Sequence, residues 1–141
     1  MQAQAALNGF GGDAQSLYEL GITSAMKLWG VGDGDIAAYI ASGADLTTVS
    51  FENIALQRWI ACYTDGFEAW SIVRKSGFPS ELTVGVGDID IFSMGDASLN
   101  GAYPSRMKYG NQAYNTNLTN LEEAINRQGP DEQGVQLWFA K

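Results

Sequence analysis

The sequence contains no histidine and only one cysteine, Cys62. Without histidine it lacks the commonest general base near neutral pH and the commonest transition-metal ligand. A lone thiol cannot close an internal disulfide. Most nucleophile–base pairs and zinc-site templates are thereby removed. Positive charge is also scarce, with eight Lys and Arg against sixteen Asp and Glu and a formal charge of -8. Binding a polyanion requires clustered cations that displace its counterions, so nucleic acid is a poor fit as a partner. There is no run of about 18 apolar residues, the length a helix needs to cross a bilayer. No basic stretch leads into an apolar run and a small-residue cleavage site at the start.

What is present is enough for a core. Of the 141 residues 45% are hydrophobic, which suits one compact unit of ordinary domain size. Gln2 to Leu7 reads as the end of a helix whose earlier turns lie outside the chain, so a fragment of a longer protein is expected. Asn8-Gly9-Phe10-Gly11-Gly12 is a turn by its glycines. Asp13 is placed to cap a helix running to about Trp29, with Leu17, Leu20, Gly21, Ser24, Ala25, Leu28 and Trp29 near helical spacing. Together they form the second arm of a helical hairpin. A short helix is predicted from Asp35 to Ser42, carrying Tyr39, Ile36 and Ile40.

Ser50 stands where an N-cap belongs, ahead of the longest periodic stretch, Phe51 to Arg74. Its apolar stripes are Ile54, Trp59, Ile60, Tyr63, Phe67, Trp70 and Val73. Thr64-Asp65-Gly66 should kink or split this stretch, and Gly77-Phe78-Pro79 should stop it, since glycine suits a left-handed C-cap and proline cannot continue a helix. From Ser80 to Gly101 the pattern changes to Gly, Asp and Ser around short β-rich pieces, Leu82 to Val84, Ile89 and Ile91-Phe92. Pro104 to Asn117 reads as extended chain and Leu118 to Arg127 as a last helix. Val135 to Phe139 reads as a turn-like tail, with Trp138 packed back on the core. The fold class is mainly α with a loop-rich insertion. It divides into a helical core (1–79), a loop-rich region (80–117) and a terminal helix and tail (118–141).

Chemistry is thinly provided. Asp88, Asp90 and Asp96 form an acidic, glycine-punctuated loop that could hold calcium through hard oxygen ligands, yet the spacing is not that of an EF-hand, and an exposed acidic loop is the plainer reading. Gly32-Asp33-Gly34-Asp35 reads as a turn and cap. Glu52, Glu68, Glu122 and Glu123 sit on predicted helices, where solvated faces explain them better than a glycosidase pair does. Cys62 lies in an apolar helix with no histidine to activate it and reads as a small buried hydrophobe. No cofactor or metal site is nominated. The surplus is aromatic, with four Trp, six Tyr and six Phe, the side chains that stack on sugar rings. Trp59 and Trp70 fall at helical spacing and read as core. Tyr103 and Tyr109, in the extended stretch, are the candidate ligand contacts.

One segment carries more information than its periodicity. Gln57 to Pro79, QRWIACYTDGFEAWSIVRKSGFP, resembles the signature helix pair of SusD/RagB-type outer-membrane nutrient-binding lipoproteins. That signature runs Q-[KR]-W-[IL]-A, an aromatic, G-x-E-A-W, two basic residues and G-[FY]-P. Ala5 to Leu7, followed by Asp13 to Tyr18 and Gly21-Ile22, resembles the family's helical-repeat hairpin. Pro104 to Tyr109 resembles its P-x-R-x-x-Y-P segment. Tyr114, Asn117, Asn120, Ala124 and Ile125 resemble the helix that follows, and Arg127-Gln128-Gly129 with Val135, Trp138 and Lys141 the terminus. The likeness covers essentially the whole chain, as the C-terminal portion of such a protein. Gly110 and Ala113 depart from it, standing where the family usually has proline and glutamate, so the local turn and any ion pair from that acid are in question.

The resemblance implies a SusD-like helical fold built on tetratricopeptide-like helix pairs. It further implies a lipid anchor upstream of Met1, an outer-membrane surface location in Bacteroidetes, and a SusC-type TonB-dependent transporter as partner. It implies no catalysis: oligosaccharides, or peptides in RagB-like members, would be captured and handed over. Within it Trp59, Trp70 and Arg106 are structural signature residues, Arg106 in an ion pair or a carbonyl contact. A tetratricopeptide-like protein-interaction scaffold without glycan binding, and a glycan-active enzyme with an acid pair in a pocket, are the other readings.

Overall fold

The computed structural model describes residues 1–42, 48–82, 99 and 103–138, and the chain divides into two compact units, Met1–Pro79 and Ser80–Lys141. The first unit contains five helices: α1 (Gln2–Leu7), α2 (Ala14–Leu28), α3 (Asp33–Ala41), α4 (Phe51–Ala61) and α5 (Gly66–Ser76). The second contains α6 (Asn111–Thr116) and α7 (Leu118–Gln128), which pack together. The architecture is helical, with no strand among the described residues.

Side chains close to the backbone set the helix boundaries. The Asp13 carboxylate accepts from the Ser16 N–H at 2.8 Å, the Ser50 hydroxyl from Asn53 N–H at 3.0 Å, and the Asp65 carboxylate from Glu68 N–H at 3.0 Å. Each takes up an N–H that the first turn of a helix leaves without an internal acceptor. Asp65 is therefore the reason the long periodic stretch becomes two helices. Its own N–H bonds back to Cys62 O at 2.8 Å while its side chain opens α5. Gly77 ends α5 in the left-handed conformation, φ 74°, with its N–H on Val73 O, a geometry that costs glycine no Cβ clash.

The first unit is organised about α2, which contacts α1, α3 and α4. Tyr18 and Ile22 lie four residues apart and so share a face of the helix. They are buried with Ala3 of α1 and Ile54 of α4, and Leu7, Leu17, Met26, Tyr39, Ile40 and Val49 pack around them. Two polar ties fix neighbouring segments. Gln57 Nε2 of α4 donates to the Tyr39 hydroxyl of α3 at 3.0 Å, and Val49 N–H donates to Gln15 Oε1 at 2.8 Å, holding the approach to α4 against α2. Arg58 reaches Glu68 at 3.3 Å between α4 and α5. Both are substantially solvated, so that bridge contributes little.

Several expectations change. α3 starts at Asp33, not Asp35, behind the Gly32 N-cap, which puts Asp33 and Asp35 in its first turn, where negative charge suits the helix dipole. Ile60, Tyr63 and Phe67 are exposed, at 45%, 85% and 71%, and do not continue a buried stripe. At about 100° per residue, Ile60 stands roughly 120° around α4 from buried Ile54. Residues 111–116, expected to be extended, form α6. This helix buries no residue and therefore leaves no apolar periodicity in the sequence. Leu82 belongs to a 3₁₀ turn, Ser80–Leu82, while the other expected β pieces, and the Asp88, Asp90 and Asp96 loop, lie outside the described residues. Trp138 is 84% exposed and does not pack back. Val135 takes the inner place, its Cγ1 3.5 Å from where a side chain on Gly129 would begin.

Truncating Ile54 to alanine should leave a cavity beside Tyr18 and Ile22 and destabilise the helical unit by about 2–5 kcal/mol. Ile60→Ala, on the solvated face, should cost less than about 1 kcal/mol. Urea unfolding followed by far-ultraviolet circular dichroism compares the two, and equal losses would contradict the assigned inner face of α4.

Candidate functional site

Two local arrangements bear on function. The first lies in the second unit, around the side chain of Asp131. Arg106 Nη2 contacts Asp131 Oδ1 at 2.9 Å, with the two side chains only 6% and 5% exposed. The Tyr109 N–H donates to both carboxylate oxygens at 3.1 Å, and the Tyr114 hydroxyl donates to Oδ2 at 2.6 Å. Arg106 Nη1 also approaches Pro130 O at 3.5 Å, and the N–H groups of Ser105 and Arg106 donate to Gln133 O at 2.9 and 3.3 Å. Through these contacts the segment from Ser105 to Tyr109 is fastened to the chain after α7.

The electrostatics of this cluster are internally balanced. Burial raises the Asp131 pKa, but the Tyr114 hydroxyl, the Tyr109 N–H and the Arg106 charge outweigh it and hold the carboxyl below its ordinary value. The same hydrogen bond from the Tyr114 phenol to Asp131, with burial and the negative charge of Asp131 adding to it, pushes the phenol pKa up. The carboxylate thus stays ionised and the phenol protonated across the physiological range. This is a fastening in which each charge has its counterpart, and it presents no acid and base with pKa values drawn toward neutrality.

The nominated ligand contacts occupy different settings. Tyr109 is 36% exposed, and the Arg106 guanidinium carbon sits 5.0 Å from its ring centroid, close enough for a cation–π contact. Tyr103 is half-buried, and burial raises its phenol pKa. Of the residues singled out as signature, Arg106 belongs to the ion pair just described. Trp59 on α4 and Trp70 on α5 are half-buried, and neither is enclosed as a core residue would be. The Arg74 guanidinium carbon lies 4.5 Å from the Trp70 ring centroid. Asp131 escaped the sequence reading altogether. The available signal was a scarce cation, Arg106, in need of an acid, but the partner stands 25 positions away and follows a Gly-Pro break. Asp131 is the acid that Arg106 uses.

The second arrangement is an apolar groove of about 720 Å³ in the helical unit. Its walls include Ala3 of α1, Ile22 and Met26 of α2, and Ile54 and Ile60 of α4, with Trp29 at one side. The size is that of many ligand pockets. Several of its polar side chains have partners within the protein, however: Gln57 bonds Tyr39, Arg58 pairs with Glu68, and the Ser24 hydroxyl donates to Leu20 O at 2.8 Å. Next to it the Trp29 and Tyr63 rings meet edge to face, with centroids 6.3 Å apart. Cys62, at the end of α4, has its thiol pKa raised by burial and by the charges of Glu68 and Asp65, against a smaller opposing effect of Arg58. It is a poor nucleophile at neutral pH. No three of Cys, Asp and Glu gather as metal ligands among the described residues.

Comparison with known proteins places this geometry. Residues 1–110 match the model of the SusD-like family described as starch-binding and associating with the outer membrane. Solved structures share the fold. A chitin-binding SusD homologue from Flavobacterium johnsoniae superposes with a TM-score of 0.76 at 24% identity, over 99% of this chain and 34% of its own. A SusD homologue from Bacteroides thetaiotaomicron gives 0.72 at 27% identity, over 98% and 36%. One from Bacteroides fragilis gives 0.75 at 22% identity, over 99% and 33%. The chain therefore spans about a third of the length of these structures. A comparison with curated protein sequences finds no match.

Replacing Asp131 with alanine would leave the Arg106 charge buried without its partner and should destabilise the second unit by about 3 kcal/mol. Because the folded pKa of Asp131 is depressed, its contribution is complete above the unfolded carboxylate value of about 3.9 and disappears as pH falls through the lower folded value. Acid titration of the wild type and Asp131→Ala, followed by near-ultraviolet circular dichroism, should show the two stabilities converging as pH falls below about 3.9 and on through the depressed folded value. A constant gap down to the lowest pH would contradict the ion pair. The Cys62 thiol should react with iodoacetamide at pH 8 more slowly than free cysteine, and faster reaction would show that the surroundings lower its pKa.

Proposed function

Since the chain belongs to the SusD-like family of outer-membrane-associated binding proteins, we propose that it forms part of a non-catalytic cell-surface protein that binds oligosaccharide and passes it to a SusC-type TonB-dependent transporter. The match of a SusD-like family model to residues 1–110 carries this reading. The share of a chitin-binding homologue's fold that the chain reproduces supports it. The site chemistry agrees with that role. Arg106 and Asp131 are paired with one another, burial raises the pKa of the Cys62 thiol and the Tyr103 phenol, and what the chain offers a neutral polyhydroxylated ligand is aromatic surface and hydrogen-bonding side chains.

In this reading Tyr109 and Tyr103 are the ligand contacts of the second unit. Tyr109 is held by its backbone N–H on Asp131, so its ring is positioned without immobilisation of a long flexible side chain, which limits the entropic loss on binding. The remainder of the protein to which such a segment belongs would supply the lipid anchor and the surface that meets the transporter.

Titration calorimetry with chitin and starch oligosaccharides tests the proposal. The expected result is sugar binding that falls about tenfold, roughly 1.4 kcal/mol, in Tyr109→Ala, a substitution that keeps the N–H bond to Asp131 and removes only the ring. Tyr103→Ala should weaken binding in the same direction. Binding unchanged in both variants would remove these tyrosines from the site, and binding of peptides in place of sugars would favour a RagB-like ligand class.

A further inference from the structure

We draw no further inference here: the strongest candidate, the apolar groove of the helical unit walled by Ile22, Met26, Ile54 and Ile60 with Trp29 and Tyr63 beside it, has Gln57, Tyr39, Arg58 and Ser24 already satisfied within the protein, and nothing in the structure shows what covers it.

Discussion

Burial of one face of α2 is the constraint on which the helical unit depends. Tyr18 and Ile22 lose their contact with water only if α1 presents Ala3 and α4 presents Ile54 to the same spot. That requirement orders the elements between them. The glycine turn after Leu7 must bring α1 back against α2. The hydrogen bonds from Val49 to Gln15 and from Gln57 to Tyr39 then fix the register that hydrophobic contact alone leaves loose. The apolar effect drives the assembly, and the directional bonds select one arrangement of it.

The second unit is held differently. Leu121 is the one residue buried along α7, and α6 buries none, so an ionic and hydrogen-bonded fastening at Asp131 carries a larger share of the specificity. A carboxylate receiving a guanidinium, a phenol and a backbone N–H has its lone pairs occupied, which is the condition under which a buried charge is tolerated. This cluster also explains why the Pro104 to Tyr109 stretch carries a strong sequence signature without secondary structure. The Arg106 side chain and the backbone N–H groups of Ser105, Arg106 and Tyr109 answer to the chain after α7 and not to a helical or strand period.

This division accounts for what was legible in the sequence. The caps at Asp13 and Ser50, the break at Thr64-Asp65-Gly66 and the stop at Gly77 could be read because each follows from local chemistry; the buried face of α2 could not, since the spacing picked out Leu20, Leu28 and Trp29, which are exposed, and passed over Tyr18 and Ile22. The signature from Gln57 to Pro79 gave the family, and the family gave the fold class. The helix at 111–116 was missed because it has no apolar face to announce it. The exposure of Ile60, Phe67 and Trp138 was missed because a sequence reports hydrophobicity and not which side of a helix finds a neighbour. The role of Asp131 depends on a contact between distant positions, and composition alone does not reveal it.

The role proposed for the protein of which this SusD-like segment is part is capture of oligosaccharide without bond cleavage. Its most direct test is recovery of the ligand: the protein is incubated with end-labelled chitin and starch oligosaccharides, retained on a size-exclusion column, and the co-eluting sugar analysed by mass spectrometry. Labelled oligosaccharide should elute with the protein at its original length. Shortened products, or label that never travels with the protein, would contradict that role.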